Sequence, residues 1–285
     1  MNEFNSLKLK HNNTEKELHS IKLRLQQLED EKQQLLQRQD ALNNLSKHDK
    51  PEANQLSTDQ KVHLFKELFK GRTDIFANRW QNSKGRSGYS VACYNEWVSG
   101  KCNKPKIKCS ECAYQRFKAL DEQAIYDHLT GKQVVGLYPL LENNRCYLLA
   151  ADFDKTGWQA AVKAMAQACA AFSIPYALEI SRSGNGAHLW IFFSEPVLAK
   201  EARALGFCLL DKAMEIHPGI SFESYDRLFP NQDMMPEGGF GNLIALPLQY
   251  QARQQSNSLF VNEQLQPYSD QWGFLSQLST HAKLI

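Results

Sequence analysis

The chain has 285 residues, enough for one large domain or two ordinary ones, and 42% hydrophobic content with 11% aromatics excludes disorder throughout. Its net charge of +2 hides an uneven distribution: 13 Lys and Arg stand against four Asp and Glu between Lys61 and Lys118. No apolar run of about eighteen residues occurs, and the N-terminus lacks the apolar core of a secretory signal, so a soluble, cytoplasmic chain without membrane contact is expected.

Residues 14–45 read as a helix with no globular core of its own. Leu18, Ile21, Leu25 and Leu28 recur at three- and four-residue steps, and Leu35 and Leu42 continue the register. Lys32 and Gln39 fall on the same seam, where polar residues weaken a coiled coil but can fix its register. The pattern predicts self-association as a short parallel dimer, with a single solvated helix as the alternative. Four parts are expected: a coiled-coil helix over 1–45, a linker over 46–60, a basic segment over 61–130 and a catalytic part over 131–285. In the basic segment Phe76, Trp80, Tyr89, Tyr94 and Trp97 interleave with the cations, which favours a polyanion-binding surface over a merely solvated face.

Four of the seven cysteines lie together, as Cys93-x8-Cys102-x6-Cys109-x2-Cys112. Four thiolates within twenty residues suit a tetrahedral zinc ion, and the Cys109–Cys112 knuckle puts two on one tight turn. Gly100, Asn103, Lys104 and Pro105 are loop-forming, as a metal-pinned segment requires. Four cysteines leave no open coordination position, so the expected Zn²⁺ is structural. Cys146, Cys169 and Cys208 sit singly in apolar stretches and are expected to be small buried thiols.

From Cys146 the elements follow a βαββαβ order. Cys146–Phe153 is a buried strand ending in Asp154, and Trp158–Phe172 an Ala-rich helix entered through Thr156 as N-cap. Tyr176–Ile180 is a strand, Ser183–Gly186 a turn, and His188–Phe193 a third strand. Leu198–Ile216 is a helix and Ile220–Asp226 the last strand. This is an α+β, RRM-like plan, in which the end of the first strand lies against the start of the third. Asp152, Asp154, Ser183 and His188 are therefore expected on one sheet edge.

Asp152 and Asp154 are two apart on a strand, so both carboxylates share a face. Held so close they repel unless a divalent cation lies between them, and hard oxygen ligands favour Mg²⁺ or Mn²⁺. In Ser183-Gly184-Asn185-Gly186-Ala187-His188 the glycines Gly184 and Gly186 permit close backbone approach to phosphate, with Ser183, His188 and Arg182 as donors. A hairpin turn followed by a core histidine is the plainer account of that loop.

LAADFDK (149–155), SRSGNGAHLWIFF (181–193), SYDRLFPNQD (224–233), GGFGNLIALPLQ (238–249) and the cysteine segment together resemble the archaeo-eukaryotic primase (primase-polymerase) superfamily, and within it the primase domain of TOTE conflict systems. The resemblance runs from about Lys61 to Leu278. It implies the archaeo-eukaryotic primase fold with a zinc-binding insert. It also implies a DNA primase-polymerase that transfers a nucleotide from an NTP or dNTP to a 3′-hydroxyl on a single-stranded or primed DNA template, with or without de novo primer synthesis. By the family pattern Asp152, Asp154 and Asp226 hold two Mg²⁺ or Mn²⁺ ions, while Ser183 and His188 bind the nucleotide. Asp233 is a further candidate for the third acid, and Arg227 and Arg253 are candidate template contacts. Helicases and nucleases accompany such domains and are the candidate partners in a mobile or defensive gene system. No GxxxxGK[ST] loop is present. A non-catalytic single-strand-binding module and a metal-dependent nuclease are the alternatives.

Overall fold

The computed structural model describes residues 15–35, 56–219 and 223–281. The chain divides into two units, Met1–Gln55 and Leu56–Ile285. In the first, a helix α1 spans residues 15–35 with Leu18, Ile21, Leu25, Leu28 and Leu35 all exposed. Leu42, Gln39 and most of the expected linker lie outside the described residues.

The second unit opens with α2 (Thr58–Leu68), whose first three residues fall in the stretch expected as linker. Ser57 Oγ accepts from the Gln60 N–H at 3.2 Å and Gln60 Oε1 accepts from the Ser57 N–H at 2.8 Å, a reciprocal cap that satisfies two otherwise unpaired donors. β1 (Ala77–Gln81), β2 (Ser87–Val91), α3 (Glu122–Thr130) and β3 (Val135–Leu137) follow. Then come β4 (Arg145–Asp154), α4 (Trp158–Ala171), β5 (Ala177–Ile180), β6 (Gly186–Leu198), α5 (Ala199–Ile216) and β7 (Tyr225–Phe229). β8 (Ile244–Ala245), α6 (Tyr250–Arg253), β9 (Phe260–Val261) and α7 (Gln271–His281) complete the chain.

Two antiparallel sheets result. The smaller runs β2-β1-β3-β8, and the larger runs β7-β4-β6-β5-β9. Within the larger, β7-β4-β6-β5 is the order the βαββαβ plan requires, and β9 adds an edge strand. Side chains alternate along β4 and β6, so each face has its own core. Leu149, Ala151, Phe153, Leu189 and Ile191 pack with the buried side of α4 and α5. The alanines of α4 and Gly206 of α5 leave room for this approach; a Cβ at Gly206 would come within 2.6 Å of Leu228 Cδ1. On the other face Leu148, Ala150, Trp190 and Phe192 pack with Phe65 and Phe69 from and just after α2, and with Ile125 of α3. Trp190 is fully buried, and truncating such a side chain to Ala costs about 3–5 kcal/mol.

Three sequence expectations change. Helix α4 is entered through Gly157 at φ 86°, with no side-chain cap from Thr156. The last strand begins at Tyr225, not Ile220; residues 220–222 lie outside the described residues. Cys208 is exposed on α5, because it falls on the outer face of the helix, whereas Cys146 and Cys169 are buried.

Candidate active site

The register of three neighbouring strands builds a row of polar side chains. Asp152 of β4 lies opposite His188 of β6, and His188 lies opposite Glu179 of β5. Directly opposed residues in antiparallel strands point to the same face, so the three side chains meet. His188 Nδ1 is 2.9 Å from Glu179 Oε2, and His188 Nε2 is 3.4 Å from Asp152 Oδ1. Glu179 is buried to 1% exposure, yet Oε2 also accepts from Trp190 Nε1–H at 3.0 Å and Oε1 accepts from Ser258 Oγ at 3.3 Å. Burial alone would pull the His188 imidazole down, but Glu179 and then Asp152 outweigh it and push it up to about 10. The ring is thus a cation at neutral pH, held between two carboxylates.

Asp154 lies opposite Gly186 on the same face as Asp152. Its backbone N–H donates to Ser224 O at 2.7 Å, while its buried Oδ1 has no hydrogen-bond partner. Lys155 Nζ stands 3.8 Å from that oxygen. A buried carboxylate oxygen with no hydrogen-bond donor, beside a second carboxylate, fits a site for a divalent cation. β7 supplies the third acid through an irregularity: Asp152 pairs with Arg227 and Phe153 with Tyr225, leaving Asp226 as the extra residue of a bulge. Asp226 accepts from Arg227 Nε. That hydrogen bond leads in raising the Arg227 guanidinium above its ordinary value, and Asp152 and Asp154 add to it. Asp226 is thus paired with its neighbour Arg227, and Asp233 is engaged by Arg203 of α5 at 2.6 Å. Among the described residues, no group of three or more His, Cys, Asp and Glu side chains stands in a ligating arrangement.

The Ser183–Gly186 turn is tied by its own hydrogen bonds. Gly184 N–H donates to Ser181 O at 3.0 Å, Ser181 N–H to Gly186 O at 2.9 Å and Asn185 N–H to Ser183 Oγ at 3.2 Å. The fold itself accounts for both glycines. Gly184 has φ 76°, and a Cβ at Gly186 would lie 2.4 Å from Phe153 O, so only glycine lets β4 and β6 close at this edge. Ser183 and Arg182 are exposed beside the turn.

The four clustered cysteines line one cavity of about 20 Å³, together with Glu96, Lys104 and Phe117. Cys93 Sγ accepts from the Asn95 N–H at 3.4 Å. Backbone N–H groups of Lys104 and Trp97 lower the Cys102 thiol, whereas burial raises Cys109 against the pull of Lys104. Between Lys61 and Lys118 each of the four acids has a cation: Glu67 with Lys70, Asp74 with Arg72, Glu96 with Lys104, Glu111 with Lys108. Trp80, Tyr94, Trp97 and Tyr114 are exposed, but Phe76 belongs to the core. Arg253 is half-buried and donates to Leu129 O at 2.8 Å, so it braces α3 and does not project outward.

A family model described as "TOTE conflict system, Archaeo-Eukaryotic Primase domain" matches residues 60–283. The chain belongs to this family. Membership supports nucleotidyl transfer at the level of the family, and primase domains of this kind typically use divalent metals. No curated protein matches in sequence. Among solved structures, the "Polymerase Domain from Mycobacterium tuberculosis Ligase D in complex with DNA" aligns at 11% identity with a TM-score of 0.43, covering 80% of this chain and 91% of that one. In this primase domain the polar row is the part that sequence reasoning left incomplete. Glu179 falls within the strand expected over Tyr176–Ile180, with no site role assigned to it there. Its signal was a carboxylate in the otherwise apolar Tyr176–Ile180 segment, one hairpin away from His188.

Proposed function

We propose that this primase domain is a DNA-directed primase-polymerase whose reacting centre is the edge formed by Asp152, Asp154 and Asp226. The 3′-hydroxyl oxygen attacks the α-phosphorus of an NTP or dNTP, the α–β P–O bond breaks, and pyrophosphate leaves while the hydroxyl proton passes to solvent. The observation that carries this reading is the row Asp152–His188–Glu179 beside Asp154 Oδ1, which lacks a hydrogen-bond donor. Asp152, Asp154 and Asp226 would hold two Mg²⁺ or Mn²⁺ ions. When bound, the ions would activate the attacking hydroxyl and neutralise the leaving pyrophosphate. His188 presents a fixed positive donor to the triphosphate, and Ser183 and Arg182 add hydrogen bonds at the turn. Glu179 and Trp190 hold the imidazole in place.

Cys93, Cys102, Cys109 and Cys112 would hold a structural Zn²⁺, as four thiols facing one small cavity supply the donor set for it. The exposed aromatics and unneutralised cations of residues 61–118 would bind single-stranded or primed template by stacking and phosphate contact. The family description supports a role in a conflict system, where a helicase or nuclease would be the partner.

The deciding experiment is nucleotide incorporation on a single-stranded template with Mn²⁺ or Mg²⁺. Asp152→Ala combined with Asp154→Ala should lower incorporation by at least about 10³-fold, with thermal unfolding like the parent's. Incorporation at the parent's rate by that variant overturns the reading.

A further inference from the structure

Beside the reacting edge lies a cleft of about 460 Å³ that contains no carboxylate among its lining residues. Arg79 from β1, Arg182 from the turn after β5 and Lys132 after α3 bring three cations to it. Lys132 is balanced by Asp127 at 3.1 Å, outside the lining. Arg79 is held only by the neutral Gln81 Oε1, at 3.2 Å from both terminal guanidinium nitrogens. Burial first, and then the charge of Arg182, pull the Arg79 guanidinium below its ordinary value. Two guanidinium groups placed within reach of each other without a carboxylate are the inverse of a paired-carboxylate metal site. An anion between them relieves the repulsion.

A second observation points the same way. Gln249 lines the cleft at 2% exposure. Its Nε2 donates to Leu246 O at 3.0 Å, and its backbone N–H donates to Ser258 Oγ at 3.2 Å. Its Oε1 is buried without a partner. A buried unpaired amide oxygen costs about 1–3 kcal/mol unless something donates to it. A nucleotide carries both a phosphate for the arginines and an N–H or O–H donor on its base or sugar for Gln249 Oε1.

We propose that this cleft binds a phosphorylated nucleotide of the nucleic-acid strand, its phosphate between Arg79 and Arg182 and its base or sugar donating to Gln249. None of Asp152, Asp154, Ser183 and His188 lines the cleft, so the strand nucleotide is distinct from the triphosphate at the carboxylates. Arg182 is the one residue common to both. Calling the strand a template or primer rests on the proposed function; the binding of a strand phosphate does not.

The test is fluorescence anisotropy with a labelled single-stranded DNA oligonucleotide in EDTA over a series of NaCl concentrations. Arg79→Gln should weaken binding about tenfold and reduce the magnitude of the salt slope by about 0.7, the loss of one phosphate contact on a single strand. Gln249→Glu, which turns a carboxylate toward the phosphate, should weaken binding at least as much. Should that variant unfold, Arg79→Gln alone decides. Binding of Mn²⁺-triphosphate should stay within about twofold of the parent in Arg79→Gln. Parental oligonucleotide affinity and slope in Arg79→Gln overturn the proposal. So does weakened Mn²⁺-triphosphate binding with unchanged oligonucleotide binding, which would give the cleft to the free nucleotide. Failure of the catalytic reading appears separately, as incorporation by the Asp152 and Asp154 double variant, which should bind the oligonucleotide in EDTA like the parent.

Discussion

Glu179 shows how one buried charge organises the edge. It is 1% exposed and is met by His188 Nδ1, Trp190 Nε1 and Ser258 Oγ, so its desolvation is offset by three polar partners. Glu179→Gln keeps the shape and removes the charge. Trp190 and Ser258 can still donate to the amide oxygen, but His188 then meets a weaker acceptor and is free to tilt from its place beside Asp152. The ring orientation should suffer more than the fold. Expected is a loss of about 10–100-fold in kcat/KM for the triphosphate, the scale found when an outer partner of a functional histidine is removed. The rise in KM should exceed the fall in kcat. Steady-state incorporation with varied triphosphate measures both, with thermal unfolding alongside. Equal KM in parent and variant would remove Glu179 from the site and leave it a core acid.

At the scale of elements, the strands and helices that build the edge were legible because each carries a long pattern. CYLLAADFD is an apolar run with two acids at its end, and the Ala-rich stretch from Trp158 has a clear helical period. The antiparallel register then follows from topology, which is why Asp152 and His188 could be expected together. Less legible were the short strands of the smaller sheet: β3 has three residues and β8 two, too few for any periodicity to show. The bulge at Asp226 was hidden for a different reason. A bulge is a mismatch between two strands, and neither strand records it alone.

The cysteine segment sits between these cases. Its spacing could be read, but its shape could not, since from Cys93 to Cys112 it holds turns, one isolated bridge from Cys93 to Phe117 and one short 3-10 helix, Cys109–Glu111. Such a segment has little apolar burial to hold it, so a tetrathiolate ion would supply most of its stability. Metal analysis of purified protein should find about one zinc per chain. Cys109→Ser should lower that content and make residues around 93–117 more susceptible to proteolysis, while Cys208→Ser, on the outer face of α5, should change neither. Absence of zinc from the parent, with the segment still resistant, would show that packing around Phe117 and Phe240 suffices.

For the whole molecule, the two units pose different problems of burial. Leu56–Ile285 carries its own cores on both faces of the larger sheet, so its fold needs nothing from the arm. The arm is the opposite case. In helix α1 five apolar side chains at three- to seven-residue steps are 46–67% exposed, and most helical stability in proteins comes from packing such a face against a partner. Pairing of two copies buries that seam, with Lys32 on it favouring a small assembly over a large one. The full chain should therefore be a dimer at micromolar concentration by light scattering on a sizing column. Leu25→Asp with Leu28→Asp puts two charges on the seam of each helix and should give a monomer. Because Leu56–Ile285 is a unit by itself, incorporation per chain on a primed template should stay within about threefold of the parent, unless two catalytic units act together on one strand. A parent that is already monomeric at tens of micromolar leaves α1 a solvated helix. A variant that stays dimeric moves the interface onto the catalytic unit.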